Sequence, residues 1–562
     1  MFLLLWFSLL AIASGEDELK VKLRQGVVIG TRATDGDYLS FYGIHYGGTT
    51  SGDKRFKGPT DPLAYVDEYH AVNSDIICAQ PSPQGIIGIE DCLVLDVHTK
   101  NLATPKPVIV WLEGEEYQAT SKTLYSFKEF VTNDLVFVTI KYRLSIFGFL
   151  CLRVPEAPGN AGLKDVIHSL KWIQSNIRAF GGDPTRVTLL GHGSGAAMVD
   201  LITLSPLSRG LVHNAMVLSG SALAPWAMAY DPVGYAEKVG AKWKYSGKTP
   251  TELAKFLSTI SLIDFSTVLN EFEFYNNTPL FAPCIENANL NPMGTFLADA
   301  PIDILRSGNY TDIPYVAGFV DREGTLRAEE AVHNNWLGKM NRNFEDFLTA
   351  DLAFESREDR LNASQLIRKF YFGQDRIDMS TVDNFLKYQG DVLVLVPVTL
   401  GAIERALTAK SEVRLFEFAY RGTNNSDWAY PQIPLTGVRH GGILNYLFDY
   451  DLRKQDLDAK AALLKRIVYL AQTGSVQPPN SVTWTPIDKD LTWMIHWTGG
   501  PVAPDAYVFS ESLVTNRNRE HIDFWKNILN DYYRPPPRSS AENVFCFGIL
   551  VLFTQIVIKL LQ

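Results

Sequence analysis

Short apolar runs alternate with helix-spaced apolar patterns along most of the chain. Pro107 to Leu112 is apolar throughout, as a strand buried on both faces reads. Leu135 to Tyr142 is a second such run, β-branched at Val136, Val138, Thr139 and Ile140. Leu163, Val166, Ile167, Leu170, Ile173 and Ile177 then recur at helical spacing, and Gly181-Gly182 followed by Pro184 ends that helix. Val187 to Leu190 is the next strand. It runs straight into Gly191-His192-Gly193-Ser194-Gly195 and a small-residue helix start at Ala196-Ala197. Ala215 to Leu218, Ile313 to Phe319 and Val413 to Phe418 continue the series. The alternation predicts an α/β fold with a large, mostly parallel central sheet and helices on both faces.

The 562 residues are 46% hydrophobic and 20% charged, an ordinary globular composition that excludes disorder, collagen and coiled coil. Length alone suggests several domains, but no repeat or low-complexity seam divides the middle, so one large domain fits. A net charge of −10 without a basic run argues against nucleic-acid binding. No metal-binding or nucleotide-binding motif stands in a trustworthy context, so no cofactor and no metal are expected.

The two ends point to the secretory pathway. Phe2 to Ala13 is nearly all apolar, and Ala13-Ser14-Gly15 supplies small residues before Glu16, which predicts a signal peptide over 1–15. The folded domain is then 16–533. Residues 534–543 form a spacer containing Pro535-Pro536-Pro537, and 544–562 are apolar apart from Gln555 and Lys559. Ser539-Ser540-Ala541 before that terminal run predicts GPI attachment at Ser539 or Ser540. A retained tail helix with Lys559 at the far interface is the alternative. Either places the protein on the extracellular face of the plasma membrane, with plain secretion as the remaining option. Sequons at Asn276, Asn309, Asn362 and Asn424 agree with export. Of the five cysteines, Cys78 and Cys92 flank a Pro- and Gly-containing loop and make a plausible disulfide, worth about 3 kcal/mol in a loop-entropy model. Cys151 and Cys284 read as buried free thiols, and Cys546 falls in the apolar tail.

A strand, a glycine-rich tight turn and a helix form the context of a nucleophile elbow. Around it, EDCLVLDVHTK (Glu90 to Lys100), KYRLSIFGFL (Lys141 to Leu150), GNAGLKD (Gly159 to Asp165), IRAFGGDPTRVTLLG (Ile177 to Gly191) and LSGSALAPWA (Leu218 to Ala227) occur in order. The chain resembles the type-B carboxylesterase and cholinesterase family of α/β-hydrolases, from about Val21 to about Tyr533. The resemblance implies a Ser–Glu–His triad, an oxyanion loop and a disulfide just before the Glu90 motif, where Cys78 and Cys92 stand.

The implied machinery departs from the family pattern at two places. The family elbow G-E-S-A-G reads Gly191-His192-Gly193-Ser194-Gly195 here, so the nucleophile position is Gly193. Ser194 lies one residue off the frame, since the small flanks two before and two after belong to Gly193. IPYVAGFVDREG places the acid at Glu323, and GVRHGGILNYLF places the base at His440. The family's W-x-H-G-G-G-F reads Trp111-Leu112-Glu113-Gly114-Glu115-Glu116-Tyr117, so two glycines have become acids. Their side chains are expected to block and repel an oxyanion. As a group, Glu113, Glu115 and Glu116 read as a solvated acidic rim rather than a cation site.

Loss of a nucleophile costs on the order of 10⁶-fold in a serine hydrolase. The expectation is therefore a non-enzymatic, esterase-like surface glycoprotein, with Glu323 and His440 as a structural relic. In kind it would be similar to the cholinesterase-like adhesion molecules (neuroligins, neurotactin, glutactin, gliotactin). It would recognise an extracellular protein partner, hold to the membrane through its C-terminus, and could pair as a homodimer. Two alternatives stay open. One is a carboxylesterase with an atypical site. The other is a gorge that binds a small apolar ester, lined by Trp226, Trp428, Phe281 and Tyr446.

Overall fold

In the computed structural model, residues 19–538 are described except 121–124, 289, 291–292, 424–427, 449–451, 489–492 and 504–505. The leader, Ser539, Ser540, Cys546, the apolar tail and the Asn424 sequon lie outside the described residues. Among those described, no helix is long and apolar enough to cross a membrane.

Among the described residues, eleven strands build the main sheet. In chain order they are β1 (Thr31–Arg32), β2 (Leu39–His45), β3 (Val94–Thr99), β4 (Lys106–Leu112), β5 (Val136–Ile140), β6 (Gly182–His192), β7 (Asn214–Leu218), β8 (Tyr315–Val320), β9 (Val413–Tyr420), β10 (Trp493–Ala503) and β11 (Ala506–Thr515). The spatial order is β11-β10-β9-β8-β7-β6-β4-β5-β3-β2-β1. The run from β10 through β5 is parallel, and antiparallel strands finish both edges. Every residue of β4, β5, β7 and β8 is buried, as the uninterrupted apolar runs predict.

Helices α1 (Ala161–Asn176) and α2 (Ser194–Leu204) pack on one core, and α3 (Leu457–Thr473) on the other. Two buried arginines are paired with aspartates. Arg405 Nη2 lies 2.8 Å from Asp200 Oδ1, with its guanidinium 4.2 Å from the Tyr315 ring centroid. Arg143 grips Asp165 through two nitrogens, at 2.7 and 2.5 Å. Isolated charges at such depth would cost several kcal/mol.

Cys78 and Cys92 are joined, with Cα atoms 5.0 Å apart. The reading of Cys151 and Cys284 as free thiols is corrected: they too form a disulfide, with Cα atoms 6.5 Å apart across 133 residues of sequence. Asn160 brings the partners together, its side chain donating to the Cys284 carbonyl and accepting from the Cys284 N–H. Proximity across that separation is a product of tertiary folding. Among the sequon residues described, Asn309 and Asn362 are exposed and Asn276 is half-buried.

Candidate active site

The register of the parallel strands assembles the site. Gly191 of β6 pairs with Leu112 of β4, and His192 pairs with Leu218 of β7. The elbow and the 113–117 loop therefore leave the sheet side by side at its carboxyl edge, where ligands of open α/β sheets bind. Glu323 follows the end of β8. The His440 loop is tied to it, because Val438 N–H donates to Asp321 Oδ1 at 2.7 Å and His440 N–H to Thr325 Oγ1 at 2.8 Å.

Gly193 has φ 57° and ψ −124°, a left-handed backbone that a glycine adopts without strain. Its neighbours confirm the frame. A β-carbon on Gly195 would stand 2.2 Å from the Leu112 carbonyl oxygen, and one on Gly191 2.5 Å from the Gly195 carbonyl oxygen. Only glycines fit those flanks. A β-carbon on Gly193 itself would stand 3.9 Å from His440 Nε2 and 3.9 Å from Glu115 Oε2, and 3.2 Å from the Gly114 carbonyl oxygen, a tight fit on that one side. The seat of a serine is intact and holds no side chain.

Ser194 sits elsewhere. It begins α2, is buried, and its Oγ accepts from Tyr117 N–H at 3.1 Å. A β-carbon on Gly114 would collide with that Oγ at 2.8 Å and with the Tyr142 hydroxyl at 2.6 Å, which is why Gly114 remains glycine. The Ser194 N–H lies at the positive end of α2, in the first turn where amide groups lack intrahelical partners.

Glu323 and His440 form a complete pair. Glu323 Oε2 lies 2.5 Å from His440 Nδ1, and Oε1 accepts from Val320 N–H at 2.8 Å. Burial pushes the His440 imidazole down. The Glu323 charge, its hydrogen bond and the Glu115 charge outweigh that and hold it above its ordinary value. His192 packs against it with ring centroids 4.8 Å apart. Burial, then the His440 charge, holds His192 well below the usual histidine range, so it is neutral. Desolvation by the surrounding groups raises the Glu115 carboxyl, although its side chain keeps an exposed edge, against the opposing pull of His440.

The expectation that Glu115 and Glu116 together block the site is corrected in part. Glu116 and Tyr117 adopt φ of 50° and 61°, so the loop keeps a left-handed backbone without the glycines. Glu116 stays in the wall of the cavity over Gly193, where its charge is paired with Arg327, which Glu330 also holds at 3.1 Å. Glu113 accepts from the Tyr125 hydroxyl at 2.9 Å, away from Gly193. Of the three acids Glu115 comes nearest the seat, and its N–H is taken by the Ala119 carbonyl at 2.8 Å.

A cavity of about 250 Å³ opens over Gly193, lined by Trp226, Leu326, Leu393 and Val394 on its apolar side and by Glu115, Arg327 and His440 among its polar groups. A second, of about 270 Å³, shares Glu116, Trp226 and Arg327 with it. Asp391–Leu395 winds as a π-helix, and the Leu393 carbonyl accepts from Trp226 Nε1 at 2.9 Å. Such turns recur at functional sites because they release a carbonyl from the helix ladder. Of the aromatics expected to line a gorge, Trp226 does so. Phe281 and Tyr446 are core residues, and Trp428 packs against the core with Nε1 on the Ile433 carbonyl. His192 and Arg327 are the residues that sequence reasoning missed. His192 stood in the elbow motif but read as a flank.

A model of the carboxylesterase family matches residues 17–524. The chain belongs to the carboxylesterase family. Within it, venom carboxylesterase-6 of Apis mellifera is 27% identical over 517 residues, covering 87% of this chain and 90% of that protein. Juvenile hormone esterase of Tribolium castaneum is 30% identical, covering 68% and 69%. The crystallised juvenile hormone esterase of Manduca sexta, with OTFP covalently attached, shares the fold at TM-score 0.81 and 23% identity, covering 91% of this chain and 100% of that one. These family members correct the expectation that the chain is not an enzyme, since the relatives that align along most of it are named as esterases. The physical reason lies in the geometry above: losing the serine removed one side chain and left the elbow, the acid, the base and the pocket in place. The names bear on the ester-hydrolase alternative and not on the adhesion reading.

Proposed function

We propose that the protein is a carboxylic ester hydrolase of the secretory pathway in which water, rather than a serine, attacks the ester. The observation that carries this is the Glu323–His440 pair aimed at an empty seat. His440 Nε2 stands 3.9 Å from the position of the missing β-carbon, inside a cavity with one apolar wall. A water in that seat gives its proton to Nε2 as its oxygen bonds to the ester carbonyl carbon. Glu323 steadies the imidazolium. The oxyanion faces the Ser194 N–H at the start of α2. Collapse breaks the carbon–oxygen bond, and His440 returns the proton to the departing alcohol.

The apolar lining by Trp226, Leu326, Leu393 and Val394 suits an ester with an apolar acyl or alkyl arm. The names of the relatives, carboxylesterase and juvenile hormone esterase, support that class. Two disulfides support an oxidising compartment.

The test is turnover of p-nitrophenyl butyrate by the full chain, with a fluorophosphonate probe alongside. Expected are turnover, a loss of roughly 10²-fold in His440→Ala, and no covalent label. No turnover, or a fluorophosphonate adduct on Ser194, overturns the reading.

A further inference from the structure

Three departures from the family pattern meet at one point. Serine is replaced by Gly193, the preceding glutamate by His192, and an oxyanion-loop glycine by Glu115. One ligand atom each from Glu115, His192 and His440 lies within 4.8 Å of the other two. We propose that these three residues bind a divalent transition-metal ion, zinc foremost, with a water as the fourth ligand over Gly193.

The donor set is that of a catalytic zinc site: two imidazoles, one carboxylate and an open position. A zinc tetrahedron wants its ligand atoms about 3.3 Å apart. Closing from 4.8 Å to that spacing falls to Glu115, the exposed member of the three. His440 already carries the outer support such sites use, with Glu323 on Nδ1 leaving Nε2 toward the seat. An independent observation is His192. It is 2% exposed, and its Nε2 is shut from solvent with no hydrogen-bond partner among the described residues. His98 Nε2 is also buried without a partner, but His192 differs from it in having two further candidate ligands, Glu115 and His440, beside it. Gly193 leaves space for the water, where a serine side chain would stand between His440 Nε2 and Glu115 Oε2.

Whether the ion binds does not depend on the proposed hydrolysis. What it does there rests on that reading. A zinc-bound water loses a proton to solvent near neutral pH. The resulting hydroxide would bond to the ester carbonyl carbon, the carbon–oxygen bond to the alcohol would break, and the alkoxide would take a proton from solvent. The ion thus replaces His440 as the activator of the same water.

The experiment is a cobalt(II) titration of the full chain after treatment with a chelator, read by visible absorption. Expected are one equivalent bound with the strong visible bands of a four-coordinate site, and displacement by one equivalent of zinc. His192→Gln and Glu115→Gln should each weaken binding at least 10-fold, as should Glu323→Gln through His440. Near-ultraviolet circular dichroism and a thermal melt show that each variant is folded, and His168→Gln serves as the control that keeps binding. No saturable uptake, or uptake unaffected by both His192→Gln and Glu115→Gln in folded protein, overturns the proposal. Ester turnover without any cobalt binding overturns the metal site and leaves the hydrolase reading standing. Cobalt bound as described without ester turnover supports the site and overturns that reading.

Discussion

Glu323 Oε2 lies 2.5 Å from His440 Nδ1, while the opposite ring nitrogen faces the bare Cα of Gly193. An acid–base pair of full geometry is thus aimed at a position with no side chain. Gly193→Ser tests how complete the surroundings are. A serine there should become labelled by a fluorophosphonate at residue 193, a reaction absent from the wild type. It should also lose about 1–2 kcal/mol of stability, because a side chain must take the left-handed elbow backbone. Mass spectrometry of the labelled peptide and a thermal melt read both. An unlabelled, folded variant would show that the seat is out of reach of His440.

The Cys151–Cys284 bridge closes 133 residues and should contribute roughly 5 kcal/mol in a loop-entropy model, against about 3 for Cys78–Cys92. Peptide mapping without reduction should recover both pairs. Cys284→Ala, freeing Cys151, should lower the thermal midpoint more than Cys92→Ala. Alkylation of Cys151 in the unreduced native chain would refute the bridge.

Asp351 is 6% exposed, and its Oδ1 has no hydrogen-bond partner among the described residues. Burial pushes its carboxyl up to about 6, against an ordinary 3.8. The folded state therefore holds the proton more tightly than the unfolded chain. Stability is highest below the unfolded value and falls as pH rises to about 6, a loss of about 3 kcal/mol. Asp351→Asn should raise the melting temperature at pH 7.5 and have little effect at pH 4. An equal shift at both pH values would be the contrary result.

Arg405 pairs with Asp200 inside the fold and stacks between Tyr310 and Tyr315. Arg405→Met keeps much of the volume and strands the Asp200 carboxylate, for a loss of about 3–5 kcal/mol. The double variant Arg405→Met with Asp200→Asn should recover part of it. Urea midpoints of the single and double variants decide this, and no recovery would place the loss in the stacking instead.

Much of the site was legible in the residues. The frame Gly191-His192-Gly193-Ser194-Gly195 assigned the nucleophile position, and the flanking glycines prove sterically obligatory. Glu323 and His440 stood in recognisable contexts and do meet. The direction of Glu116 was not legible, because it depends on Arg327, which lies more than two hundred residues away in the chain. Nor was the role of Phe281 and Tyr446. An aromatic in a core and one in a pocket wall look alike in sequence, and burial separates them.

What the sequence determined by itself is local: apolar runs that must be buried strands, glycines where no β-carbon fits, and a bare elbow at Gly193. Those follow from sterics and solvation within a few residues. Tertiary structure alone decided which distant groups share a point in space. Parallel register set β4 beside β6 and so brought Glu115 to the elbow. The loop after β9 delivered His440 against His192. Packing around Asn160 joined Cys151 to Cys284. Each of these depends on contacts between segments far apart in the chain, whose pairing is set by the burial of the whole sheet rather than by any neighbouring residue.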